Sequence, residues 1–115
     1  MVTEKQMEKL RKVSEEPEFL ALAKKVEKEY RAGFNIIIEK IALKFGITKS
    51  GASRRINIYA MEDSENPVVV KTAELWDKLL MQWQAKIEKK YGVSIHHEES
   101  YVEVRPEGYH DYYGL

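Results

Sequence analysis

The chain has no cysteine, which excludes structural disulfides and thiolate metal sites together. Apolar runs such as Ile36-Ile37-Ile38 and Val68-Val69-Val70 fall far short of the roughly 20 residues that a membrane-spanning helix needs. The opening, Met1 to Val13, is charged throughout and carries no apolar core of a secretory leader, so a cytoplasmic protein is expected. A glycine-rich phosphate loop is missing, as is a nucleophile beside a matching base or a spaced acidic pair. Catalysis therefore has no positive support, and no enzyme and no cofactor are expected. Nothing repeats at a regular period. Even net charge is lacking, with 19 basic residues set against 19 acidic ones.

What is present is a globular composition: 115 residues, 43% hydrophobic and 33% charged. That is enough for one core, so a single domain over residues 1–115 is expected. The balanced charge is also unevenly placed. Residues 33–60 carry Lys40, Lys44, Lys49, Arg54 and Arg55 against Glu39 alone, whereas residues 92–115 carry Glu98, Glu99, Glu103, Glu107 and Asp111 against Arg105 alone. The basic part coincides with the most informative stretch, Ile38 to Ile56, IEKIALKFGITKSGASRRI. Ile38, Ile41, Ala42 and Phe45 recur at helical spacing. Gly46 stands where a helix ends in a left-handed residue. Thr48 is a good N-cap for a second helix from Lys49. In that helix Ala52, Ile56 and Tyr59 share one side, and Lys49, Ser50, Ser53, Arg54 and Asn57 share the other.

This stretch resembles the helix-turn-helix family of DNA-binding domains. The small residue of the first helix, the turn glycine and the small apolar residue of the second are matched by Ala42, Gly46 and Ala52, with Ile41, Ile47 and Ile56 around them. Three positions depart from the pattern: Ala52 replaces the commoner branched residue, Arg55 occupies an often apolar site, and Gly51 weakens the second helix by roughly 1 kcal/mol relative to alanine. The resemblance implies a sequence-specific DNA-binding protein, a small transcriptional regulator of phage or plasmid type. Lys49, Ser50, Ser53, Arg54 and Asn57 would enter the major groove, and Lys40, Lys44 and Arg55 would meet phosphates.

Around this centre the pattern predicts a mainly α fold with a small C-terminal β-hairpin. Residues 1–33 read as two helices. The first opens on a Thr3/Gln6 capping box with Met7, Leu10 and Val13 on one side, and is broken at Ser14 to Pro17. The second runs from Pro17 to Ala32 and ends at Gly33, with Phe19, Leu22, Ala23, Val26 and Tyr30 as its buried stripe. The helix-turn-helix region, 34–60, begins with Asn35 as a cap. Met61 to Pro67 reads as a polar connector. Residues 67–91 form the longest helix, starting between Pro67 and Thr72.

Val69, Ala73, Trp76, Leu80, Trp83, Ile87 and Tyr91 alternate along that helix by four and three residues. The seam is read in two ways: as packing within the monomer, or as a homodimer interface formed by Val69, Ala73, Trp76, Leu80, Trp83 and Ile87. The second suits a regulator that places two copies on a two-fold DNA site.

Residues 92–115 hold the hairpin, Val93 to Ile95 paired with Tyr101 to Val104 around His96 to Ser100. A Pro106-Glu107-Gly108 turn and a tyrosine-rich tail follow. His96, His97 and His110 lie near Glu98, Glu99 and Asp111, but adjacent strand residues point to opposite faces, so no metal site is expected. The competing function is a protein-binding module, an inhibitor or adaptor whose acidic, tyrosine-rich C-terminus meets a basic partner.

Overall fold

The structure, a computed structural model, describes residues 3–62 and 65–110. Helix α1 (Glu4–Glu15) opens on the expected capping box: Thr3 Oγ1 accepts from the Gln6 amide at 3.2 Å, and Gln6 Oε1 accepts from the Thr3 amide at 2.9 Å. Met7 is buried as expected, but Val13 is exposed and its neighbour Ser14 is buried instead. The Ser14 hydroxyl donates to the Leu10 carbonyl at 2.7 Å, which satisfies it inside the helix.

Helix α2 (Pro17–Phe45) departs from the expected pattern most. It is one continuous helix of 29 residues, with neither a stop at Gly33 nor a cap at Asn35. Gly33 is instead a contact point: a Cβ built there would lie 2.3 Å from both Cε2 and Nε1 of Trp83. Glycine costs a helix interior about 1 kcal/mol relative to alanine, and the close approach of an indole ring offsets that cost.

Gly46, at φ 63°, ends α2 in the left-handed region. Its amide donates to the Leu43 carbonyl and the Ile47 amide to the Ala42 carbonyl, at 3.3 and 3.0 Å, the pair of bonds that closes a helix C-terminus around glycine. Helix α3 (Lys49–Glu62) starts at Thr48, whose Oγ1 accepts from the Gly51 amide at 3.0 Å. It runs past the expected connector boundary at Met61; residues 63 and 64 of that connector lie outside the described residues. Asn66 caps α4 (Pro67–Tyr91), its Oδ1 accepting from the Val68 amide at 2.9 Å. The helix therefore begins at Pro67 despite the β-branched run that follows.

Strands β1 (Val93–Glu98) and β2 (Tyr101–Pro106) pair antiparallel, from Val93 opposite Pro106 to Glu98 opposite Tyr101. The expected hairpin is thus present but longer, and His96, His97 and Glu98 belong to its first strand. Only Glu99 and Ser100 remain as the turn, with Glu99 at φ 54°. The Tyr109 amide donates to the Pro106 carbonyl at 3.0 Å, which closes the turn after β2. No helix among the described residues is long and apolar enough to cross a membrane.

Two compact units divide the chain: Met1–Arg31 with Gln84–Leu115, and Ala32–Trp83. The first buries Met7, Phe19, Val26, Tyr30, Ile87, Val93, Ile95, Val102 and Val104. At its centre the fully buried Tyr30 hydroxyl lies 2.8 Å from His97 Nδ1 and 3.3 Å from Gln84 Oε1. His97 Nε2 faces the Glu99 carbonyl at 3.0 Å, so Nε2 carries the proton and Nδ1 of the neutral ring accepts from Tyr30. Gln84 Nε2 donates to the Ile95 carbonyl at 2.9 Å, and Glu88 Oε2 accepts from the Ile95 amide at 2.9 Å. Both backbone groups on the outer edge of β1 at Ile95 are thereby satisfied. Burial lowers the His97 pKa and pushes the Tyr30 phenol up to about 12.

The second unit is built on Ile37, Ile41, Ala42 and Ala52, with Ile38, Phe45, Ile47, Ile56, Leu75, Trp76, Leu79, Leu80 and Trp83 packed against them. Ala42 and Ala52 are 6% and 0% exposed. Small residues at these two sites join α2 and α3 in one buried cluster on either side of the Gly46 turn.

Candidate nucleic-acid interface

Helix α3 has two chemically distinct faces. At about 100° per residue, Lys49, Ser50, Ser53, Arg54 and Asn57 fall within one arc of roughly 140°, while Ala52, Ile56 and Tyr59 fall outside it. Burial follows this division. Ala52 is fully buried and Ile56 packs on the core, whereas Lys49, Ser50, Arg54 and Asn57 are exposed and Ser53 is half-buried. The five side chains expected to face a groove thus share one accessible surface.

Among the described residues Arg54 has no ion-pair or hydrogen-bond partner, and neither do Lys40 and Lys44, which are exposed on α2. Lys49 lies 3.3 Å from Glu39, with both side chains more than half exposed. A pair so open to solvent contributes little, so Lys49 can exchange Glu39 for a phosphate at small cost.

Arg55 belongs to different surroundings. It is half-buried, its guanidinium sits 5.7 Å from the centre of the Phe45 ring, and Nη1 makes a long 3.5 Å contact with the buried Thr72 hydroxyl. Thr72 itself donates to the Val68 carbonyl at 2.7 Å. This explains an arginine at an often apolar position: its stem and flat cation cover the edge of the core. Arg55 therefore holds α3 against its neighbours and lies off the arc of the other five.

Of the six residues read as a candidate dimer seam, Val69, Ala73 and Ile87 are buried within the chain, at 8%, 3% and 1% exposure. Trp76, Leu80 and Trp83 are half-buried and pack on the core of Ile37, Ile41, Ala42 and Ala52, Trp76 edge-on to Phe34 at 5.9 Å between ring centres. Only part of their surface is open to a second chain.

Leu43 was not assigned in the sequence. It is 84% exposed beside Lys44, and the signal was its place outside the Ile38, Ile41, Phe45 stripe. The histidines are separately engaged: His97 with Tyr30, His110 with Ser94 at 2.7 Å and Glu103 at 3.1 Å, and His96 near Glu98 at 3.6 Å. No group of three metal-binding side chains gathers among the described residues. Asp111 and the tail beyond it, the surface of the alternative protein-binding reading, lie outside those residues. The chain matches no protein-family model, and no curated protein or solved structure is significantly similar to it.

Proposed function

We propose that the protein binds double-stranded DNA in a sequence-specific manner, as a small transcriptional regulator of phage or plasmid type acting in the cytoplasm. The observation that carries this reading is the exposed α3 face of Lys49, Ser50, Ser53, Arg54 and Asn57, set on a helix whose other side is anchored through Ala52 and Ile56. A helix held in this way presents side chains of fixed register to a major groove. There an arginine suits guanine and an asparagine suits adenine. Arg54 and Asn57 take those roles, and Lys40, Lys44 and Lys49 take phosphates.

The test is selection of bound sequences from a random DNA pool at two salt concentrations. Three phosphate contacts give a salt dependence near −0.9 each, so roughly −3 per chain. Replacing Arg54 and Asn57 together by alanine removes base discrimination, at roughly 1–3 kcal/mol per lost bidentate contact. Binding that survives this replacement unchanged, or ignores salt, overturns the proposal.

A homodimer belongs to the same proposal, because one helix-turn-helix makes few base contacts and two copies on a two-fold site double them. Light scattering of the protein and of Trp76→Glu tests it. A dimer that becomes a folded monomer supports an interface at the exposed parts of Trp76, Leu80 and Trp83. A monomer that simply unfolds assigns the seam to the core.

A further inference from the structure

The hairpin's two edges are treated differently. Glu98 and Tyr101 flank a two-residue turn and pair directly. In such a ladder the flanking pair exchanges backbone hydrogen bonds, and every second residue thereafter turns its amide and carbonyl outward. On β1 the outward residues include Ile95, whose amide and carbonyl are bonded by Glu88 and Gln84. This agreement fixes the parity independently. On β2 the outward residues are Val102, Val104 and Pro106. Among the described residues nothing bonds the outward amides and carbonyls of Val102 and Val104.

That edge does not face open solvent. A groove of about 510 Å³ runs beside it, lined on β2 by Tyr101–Arg105 and on α2 by Leu20, Ala23, Lys24 and Lys28 among others. A groove that touches five successive residues of a strand, from both side-chain faces, lies along its edge, since β1 occupies the other edge. It is bounded at one end by Arg31, whose Nη2 donates to the Ser100 carbonyl at 3.0 Å. At the other end Pro106 has no amide to offer.

The unpaired charge in the groove is one-sided. Arg31 is paired with Glu27 at 3.4 Å and Arg105 with Glu103 at 3.3 Å, and Glu103 also accepts from Tyr101 at 2.5 Å. Lys24 and Lys28 remain exposed, with no partner among the described residues. Leu20, 45% exposed, adds apolar surface to the same lining.

We propose that this groove binds an extended acidic segment of a partner protein, which adds to β2 as a third strand. The outward groups of Val102 and Val104 hydrogen-bond its backbone, Leu20 and Ala23 receive an apolar side chain, and Lys24 and Lys28 meet its carboxylates. An exposed strand edge is a ready template for this kind of addition, and a helix alongside it supplies side-chain selectivity. The inference stands apart from DNA binding: it uses residues of the first unit, whereas the α3 face belongs to the second.

The test uses the full chain and labelled peptides of about ten residues in which valine alternates with glutamate, with lysine-for-glutamate versions beside them. Binding of the glutamate peptides is read by fluorescence anisotropy, and hydrogen exchange at the Val102 and Val104 amides is read by NMR. The expected result is selective binding of the glutamate peptides with slowed exchange at both amides. Replacing Lys24 and Lys28 together by glutamate should weaken binding roughly tenfold or more. Both side chains are exposed, so this variant folds, and its amide spectrum checks that it does. N-methylation of alternate peptide amides should abolish binding, which separates strand addition from simple charge attraction. Equal binding of glutamate and lysine peptides, or binding that leaves the exchange of Val102 and Val104 unchanged, overturns the proposal.

Discussion

Alanine at position 33 is a sharp test of how the second unit is held together. On helix propensity alone Gly33→Ala should stabilise a mid-helix position by about 1 kcal/mol. The structure predicts the opposite sign. The new methyl would lie 2.3 Å from Cε2 and Nε1 of Trp83 and 2.8 Å from Cζ2, well inside the roughly 3.5–4 Å at which carbon atoms make favourable contact. All three are ring atoms, so relief requires the whole indole to move by more than 1 Å, an order-of-magnitude figure from that contact distance. Overpacking of this kind costs about 1–3 kcal/mol, which exceeds the propensity gain over most of its range. The net expectation is destabilisation of up to about 2 kcal/mol. Urea unfolding followed by tryptophan fluorescence measures it, and Trp83→Leu provides the second arm of a double-mutant cycle. With Trp83 shortened, Gly33→Ala should become neutral or stabilising. If Gly33→Ala raises the unfolding midpoint in the native background, the indole does not sit against Gly33 and the account of the continuous α2 helix is wrong.

Further expectations follow from the backbone and the buried network. Gly46→Ala, at φ 63°, should cost about 1–2 kcal/mol from left-handed strain, measured as a shift in urea midpoint; an unchanged midpoint would refute the turn geometry. Glu99, at φ 54°, reverses that logic, and Glu99→Gly should be neutral or stabilising by up to about 1 kcal/mol in the same assay. The His97 pKa is lowered below 6.5 by burial, so the unfolded chain binds the proton more readily. Stability from this group is complete above pH 6.5 and falls as pH drops from there toward the lowered folded value. Urea midpoints across that window should decline, and His97→Gln should remove the part due to this residue; an identical decline in the variant would dismiss it.

How much of this was legible in the residues differs by element, for physical reasons. The capping box at Thr3, the Gly46 stop, the Thr48 cap and the hairpin alternation are local signals, each read from a few neighbouring residues, and each is present. Gly33 misled because glycine has two opposite uses: it permits a left-handed stop, and it permits close approach of another group. Only the partner decides between them, and Trp83 is 50 positions away in the chain. Val13 and Ser14 were exchanged because a serine that bonds its own helix carbonyl can be buried cheaply. Periodicity ranks residues by polarity and does not register that satisfaction.

The two candidate surfaces differ in the same way. The α3 face is a property of one helix, so 3.6-residue spacing placed Lys49, Ser53, Arg54 and Asn57 together before any tertiary contact was known. Arg55 was harder, because its phosphate reading required it to be free, and Phe45 and Thr72 both hold it. The groove beside β2 had no sequence signature. It depends on which strand edge is left over once α4 side chains have taken Ile95, and on the part of α2 that lines the same groove. A free edge is a subtraction: backbone groups count as available only after every other partner has been assigned. Lys24 and Lys28 read as an ordinary solvated face in the sequence. Their meaning changes because an unpaired strand runs alongside them, and a charge next to an open hydrogen-bonding edge can select what pairs there.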